Sequence, residues 1–260
     1  MNMSNDKGDK AIAVILAFNE ENRISQTVKN AKQTFNTVCV LDSVSNDQTV
    51  EMAKAAGAQI ISNKFVNFAA QRNFAIDAFK NDYDWLFFLD ADEEIDQELS
   101  QNLKVFLEQI PEKPIALKMR RKNFFLGKML NHVAGKDYQT RLFGKFDELK
   151  YVGEVHEGIA TPELERQTIE GHIIHNSYET ITDLFAKTNK YTSLEVSKKK
   201  SYSTKILIVR LLFLPSLTFF KSYFLRKGFL DGYRGFIYAS FMAIYKFVLI
   251  SKQIEKNLKD

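Results

Sequence analysis

The chain has 260 residues, a formal net charge of +4 and 45% apolar content, with 22 Phe and a single Cys. One cysteine excludes a disulfide framework and a cysteine-ligated zinc site, and it fits a reducing compartment. The length allows one large α/β domain with an appendage. Because the first 10 residues are polar and charged and lack a signal-peptide apolar region, a cytoplasmic location is expected.

The first apolar run, Ala11-Ile12-Ala13-Val14-Ile15-Leu16-Ala17-Phe18, reads as a strand buried on both faces and is followed by the polar Asn19-Glu20-Glu21-Asn22. A helical pattern covers 24–31, and 37–41 is a second buried strand containing Cys39 as inert packing. It ends at the polar loop Asp42-Ser43-Val44-Ser45-Asn46-Asp47-Gln48-Thr49. Asp47 is placed to cap a helix over 48–56 and Gly57 to end it. A short strand over 59–62 precedes a helix over 68–79 that carries Gln71, Arg72 and Asn73 near its start. Strand and helix alternating in this way imply right-handed crossovers and a parallel sheet.

The central strand is Trp85-Leu86-Phe87-Phe88-Leu89, and it runs into Asp90-Ala91-Asp92-Glu93-Glu94. In an extended segment Asp90 and Asp92 point the same way, at the edge where open α/β sheets place ligands. Two hard oxygen donors there suit a divalent cation that also holds a phosphate. The plainer alternative makes Asp92 a helix N-cap, with Glu93 and Glu94 favouring the helix dipole. Polar clusters follow the first, second and fourth strands, as a nucleotide site requires. Neither G-x-G-x-x-G nor G-x-x-x-x-G-K-[ST] is present, so the dinucleotide and P-loop readings lose their main support.

Charge is unevenly spread. Residues 196–260 hold 13 Lys and Arg against 3 Asp and Glu, whereas the preceding residues hold 23 basic against 29 acidic. A basic, aromatic tail on an acidic body points to a polyanion, either nucleic acid or anionic lipid. The uncharged runs 211–220 and 235–245 fall short of a membrane span, and joining them would bury Arg226, Lys227, Asp231 and Arg234. The pattern is that of interfacial amphipathic helices, with rings in the acyl boundary and cations, among them Lys198-Lys199-Lys200, at the headgroups. An ordinary helical subdomain packed on the body is the alternative.

Phe18-Asn19-Glu20, the loop 41–49 and Leu89-Asp90-Ala91-Asp92-Glu93, in this order, resemble family-2 glycosyltransferases. So do Asp137-Tyr138-Gln139-Thr140-Arg141-Leu142-Phe143, Val155-His156-Glu157, His172-Ile173-Ile174-His175 and Phe229-Leu230-Asp231-Gly232-Tyr233-Arg234-Gly235. The ordered set is similar to the lipopolysaccharide inner-core β-glucosyltransferases of Gram-negative bacteria, which place glucose on a heptose. One departure is Val44, where the family usually has Gly.

The resemblance implies a GT-A fold, a Rossmann-like and mostly parallel α/β sheet, over 11–195. It adds a flexible start over 1–10 and a helical membrane-interface tail over 196–260. It implies a UDP-glucose donor, a lipopolysaccharide core acceptor, Mg²⁺ or Mn²⁺, and an anionic inner-membrane surface as partner rather than nucleic acid. Phe18, Asn19 and Glu20 would line the nucleobase pocket, and Asp42 would hydrogen-bond uracil or ribose unless it only caps a turn. Gln71 and Arg72 would reach ribose or phosphates, the alternative being a solvated helix face. Asp90 would contact ribose or the metal's waters, Asp92 the metal itself, and Arg141 the diphosphate. His175 would reach the metal or diphosphate, while His172 would serve structure. For the base, Glu157 is the first choice and Asp137 the second, with Glu154 a third. The central strand also imitates the nucleophile strand of haloacid dehalogenase-type phosphatases, but about 85 residues of α/β pattern precede it and no later acidic pair follows. A non-enzymatic membrane or nucleic-acid binding protein would explain the tail and leave the carboxylates idle.

Overall fold

The computed structural model describes residues 10–153, 158–161, 163–178, 180–198 and 202–259. It opens with β1 (Ala11–Ala17), α1 (Ile24–Ala31), β2 (Thr37–Asp42), α2 (Thr49–Ala55), β3 (Gln59–Ser62), α3 (Phe68–Phe79) and β4 (Trp85–Asp90). There follow β5 (Glu93–Ile95), α4 (Gln97–Leu107), β6 (Ile115–Phe125), β7 (Lys128–Met129), β8 (Asp137–Gly144), β9 (Tyr151–Val152), β10 (Gly158–Ile159) and β11 (Glu165–Tyr178). The chain ends in α5 (Ile181–Lys198), α6 (Thr204–Phe220) and α7 (Gly232–Lys259).

The elements divide into two compact units. Residues up to 121 with 138–175 form the first, and 122–137 with 176–260 form the second. The boundary expected at 195 falls within α5, and 122–137 joins the later helices because Phe125, Leu130 and Val133 share a core with Leu184, Ala239 and Phe241.

In the main sheet the strand order is β3-β2-β1-β4-β8-β6-β11-β5, with β7 on β6. β3, β2, β1 and β4 run parallel, as the alternation of strands and helices requires, while β8 joins β4 antiparallel. The α/β class and the GT-A arrangement are therefore those expected, with the parallel half mixed into an antiparallel continuation. Alternation explains why both faces are buried. Ala13, Ile15, Val38, Val40, Phe87 and Leu89 enter one core with α1 and α4, whereas Ile12, Val14, Cys39, Leu41, Leu86 and Phe88 enter another with α3. Burial pushes the Cys39 thiol up to about 12, against a weaker pull from a backbone hydrogen bond at Ile61, so it stays an inert thiol.

Two features of this sheet position the site. Leu16 lies opposite Asp90, and Ala17 lies opposite Asp42, so the carboxyl ends of β1, β2 and β4 are level. The sheet also curls. β5 begins three residues after β4 ends, yet it pairs with β11 at the far end of the strand order. Glu93 and Glu94 thus belong to a strand, and the helix begins at Gln97 with Asp96 as its N-cap, accepting from the Leu99 N–H at 2.8 Å. The helix-start alternative for Asp92–Glu94 is corrected accordingly. The reason is non-local, since His175 lies opposite Glu93 across the ladder. Gly171 permits β11 to pass close to α4. Its φ is +101°, and a Cβ there would collide with the Leu99 backbone.

In the second unit, α6 and α7 are longer than the uncharged runs in the sequence. The stretches Thr204–Leu225 and Gly228–Lys259, of 22 and 32 residues, contain 18-residue windows of mean hydropathy 1.5 and 1.3 and are by length and composition long and apolar enough to cross a membrane. The uncharged runs 211–220 and 235–245 are themselves shorter than a span, and these longer helices reach that length by including the flanking charges. Asp231 fastens α7 to the 122–137 hairpin. Its carboxylate accepts from the N–H groups of Asn131, His132 and Val133 at 3.0, 3.0 and 2.8 Å, and it meets His132 Nδ1 at 3.2 Å. Arg234 adds a bond from Nε to the Leu126 carbonyl at 3.1 Å. The Asp231-Gly232-Tyr233-Arg234-Gly235 motif therefore has a structural task inside this unit.

Candidate active site

Two loops meet at the level edge of β1 and β2. Asn19, in the left-handed region at φ 55°, donates its N–H to Ser45 Oγ at 2.9 Å and accepts from the Asn46 N–H at 3.0 Å. The N–H groups of Glu20 and Glu21 donate to Thr49 Oγ1 at 2.8 Å and Asp47 Oδ2 at 3.2 Å, and Glu21 Oε2 accepts from the Gln48 N–H at 3.0 Å. Asp47 also accepts from the Thr49 N–H, but it lies one residue before Gln48, the N-cap of α2, so the expected cap position shifts by one. Phe18 leaves its ring nearly half exposed beside this stitched pair of loops. Asn tolerates its left-handed conformation, but Val44 at φ 67° does not. A β-branched residue there stores about 1–3 kcal/mol, and this is the physical reason a glycine suits the position.

Asp42 is buried, and its carboxylate is occupied by its own loop. It accepts from the N–H groups of Val44 and Ser45 at 3.0 Å and from Ser45 Oγ at 2.6 Å. Asp42 thus caps its own turn. Gln71 and Arg72 are buried as well, which corrects the solvated-face alternative. Gln71 bridges Ser43 Oγ at 3.2 Å and the Asn63 main-chain oxygen at 2.9 Å, holding the β2 and β3 ends together. Asn73 exchanges bonds with the Tyr151 main chain at 2.9 and 2.8 Å. The Arg72 guanidinium lies 5.0 Å from the Phe88 ring centroid and 5.5 Å from that of Tyr151, with Nη2 3.6 Å from Asp90 Oδ1.

The acidic end of β4 meets a cluster of arginines. Arg141, nearly fully buried on β8, places Nη2 2.6 Å from Asp90 Oδ2 and 2.6 and 2.8 Å from the two oxygens of Glu93. Arg121 Nη1, on β6, is 3.2 Å from Glu93 Oε1. Burial alone would raise the Asp90 carboxyl, but the charges of Arg141 and then Arg72, the Arg141 hydrogen bond and His175 outweigh it and hold Asp90 well below the usual carboxylate range. Burial likewise opposes the charge on Arg141, and the Asp90 and Glu93 carboxylates more than restore it. Both groups are ionised at neutral pH.

Curling of the sheet brings His175 to the turn after β4, with its Nε2 3.4 Å from Asp92 Oδ2 and both side chains about one-sixth exposed (17% and 18%). Asp90 is 32% exposed. His172, three residues earlier, instead pairs through Nδ1 with Asp96 at 2.9 Å. Asp92 and His175 offer one oxygen and one nitrogen donor at the turn after β4, donor types that suit Mn²⁺ or Mg²⁺.

Among the expected residues, the structure gathers Arg72, Asp90, Asp92, Arg141 and His175 and sets Phe18, Asn19, Glu20, Asp42 and Gln71 along the neighbouring strand ends. Asp137 opens β8 and is assigned to the second unit. Glu154, His156 and Glu157 lie outside the described residues, as do Lys199 and Lys200. Sequence reasoning missed Glu93 and Arg121 as site residues. For Arg121 a signal existed in the alternation Leu117, Met119, Arg121 along β6, which turns a cation to a buried side.

Residues 12–150 match the family described as glycosyl transferase family 2. That is more than half of the chain, and the chain belongs to this family. An uncharacterised glycosyltransferase of Rickettsia prowazekii is 27% identical over 260 residues, covering 96% of this chain and 88% of that one. The lipopolysaccharide core biosynthesis glycosyltransferase LpsC of Rhizobium meliloti is 24% identical over 255 residues, covering 94% and 92%. Among solved structures, S. aureus TarS 1–349 in complex with UDP-GlcNAc aligns with a TM-score of 0.45 at 11% identity, covering 96% and 92%. The protein is a nucleotide-sugar glycosyltransferase, and the phosphatase and non-enzymatic readings fall away.

Proposed function

We propose that this enzyme moves glucose from UDP-glucose onto a heptose of the lipopolysaccharide inner core, with inversion and at the membrane surface. The observation that carries the acceptor class is the likeness to LpsC, which spans nearly the whole of both chains, tail included. The donor reading rests on the cationic cluster beside a carboxylate–imidazole pair at the sheet's carboxyl edge, where diphosphates bind.

In this reading Phe18, Asn19 and Glu20 flank the nucleobase, and the Asp42 loop shapes the ribose side. Asp92 and His175, with Asp90 beside them, would hold the divalent ion. When bound, the ion supplies Lewis-acid stabilisation of the departing diphosphate. Arg141 provides guanidinium N–H groups to the same charge. The acceptor hydroxyl attacks the anomeric carbon opposite UDP. The bond from that carbon to the diphosphate oxygen breaks, and the hydroxyl proton passes to a carboxylate, Glu157 first and Asp137 second. UDP release from UDP-glucose that requires truncated lipopolysaccharide is the test. Stronger acceptor-dependent release from another UDP-hexose would overturn the donor assignment.

The tail is read as an interfacial anchor. Ile206, Val209, Leu212, Phe213, Phe220 and Phe224 are exposed, and Arg210 and Lys246 stand within the helices rather than at their ends. A cation in mid-helix is costly in a span and welcome at headgroups. Deleting residues 205–260 should release the protein from membranes, and full-length protein should float with anionic vesicles at low salt and less at high salt. Full-length protein that ignores such vesicles at low salt would contradict the anchor.

A further inference from the structure

Beneath the proposed donor site lies a carboxylate that no step above uses. Glu93 is 0% exposed, and its contacts run to three separate parts of the site. Arg141 Nη2 approaches both its oxygens, Arg121 Nη1 approaches Oε1, and Oε2 accepts the Asp90 N–H at 3.2 Å. The third contact ties it to the turn that carries Asp92, and its ladder partner on β11 is His175. Well-packed apolar residues often stabilise a fold as well as a buried ion pair does. A carboxylate at the junction of β4, β5, β6, β8 and β11 is therefore poorly explained by stability.

Arg141 carries the argument further. Its bonds to both carboxylates come from one terminal nitrogen, and its Nε is buried with no partner. This guanidinium is anchored without being fully satisfied, so donor capacity remains for an anion. We propose, resting on the nucleotide-sugar reading, that Glu93 is a positioning residue for the donor diphosphate. It fixes Arg141 and the Asp90–Asp92 turn so that the guanidinium faces the phosphates without closing onto Asp90 alone.

Calorimetric binding of UDP and of uridine, each without metal ion, tests this on the full-length protein. Uridine lacks the phosphates, so a purely structural loss would weaken both ligands together. Glu93→Gln keeps the shape and the acceptor for the Asp90 N–H but removes the charge. It should weaken UDP roughly 10–100-fold, the range for groups that orient a ligating side chain, and leave uridine near its wild-type affinity. Glu93→Asp, which keeps the charge on a shorter arm, should recover part of the loss. If Glu93→Gln does not fold, the charge-balanced Glu93→Gln/Arg121→Gln protein takes its place with the same expectation. Equal weakening of both ligands, or unchanged UDP affinity in a folded variant, overturns the positioning role. If wild-type protein binds UDP only with Mn²⁺, the same comparison is made with it; wild-type protein that binds UDP neither with nor without Mn²⁺ would instead overturn the nucleotide-sugar reading beneath it.

Discussion

Asp92→Ala is expected to abolish transfer and to remove the metal-dependent part of UDP binding while the protein remains folded. The residue follows β4 in a turn, its side chain is partly exposed, and its carboxylate meets His175 Nε2 at 3.4 Å. Removing it opens no cavity in either core, so stability should change by about 1 kcal/mol or less, as for substitutions away from packed or paired interiors. What disappears is one of two donors that approach from neighbouring strands. UDP affinity with and without Mn²⁺, together with a thermal melt, measures the two effects separately. If metal still strengthens UDP binding in the variant, Asp92 is not a ligand.

Glu157→Gln is expected to leave donor affinity nearly unchanged and to cut turnover by roughly 10²–10⁴-fold, the range for general acid–base catalysis. The residue directly precedes β10, which pairs with β9, and it closes the Val155-His156-Glu157 motif that carries part of the resemblance. An amide of the same shape cannot take the acceptor proton, yet it keeps the hydrogen-bonding outline, so donor binding serves as the internal control. Asp137→Asn is the comparison. An inactive Asp137→Asn beside an active Glu157→Gln would move the base to β8.

Local pattern carried much of the catalytic unit into view. The apolar runs that became β1, β2 and β4, the helical patterns of α1 and α3, and the polar loops after the strands all follow from side-chain periodicity within a few residues. What periodicity could not show depends on partners far along the chain. Glu93 resembles a helix-start acid until β11, some 80 residues later, pairs with it as a strand. Its burial beneath Arg121 and Arg141 rests on strands β6 and β8 that local pattern cannot bring together. The assignment of 122–137 to the second unit depends on Asp231, about 100 residues away. Asp42 illustrates the opposite limit. Its residue type and position were plain, yet only the coordinates reveal that its oxygens already serve Val44 and Ser45.

The proposed reaction is inverting hexosyl transfer from a nucleotide sugar to a lipopolysaccharide heptose. The most direct measurement is the NMR linkage of the product formed from UDP-glucose, Mn²⁺ and truncated lipopolysaccharide. The account predicts a single new β-linked glucose on heptose, formed in step with UDP release. An α-linked product, or UDP release that proceeds equally without the acceptor, would contradict it.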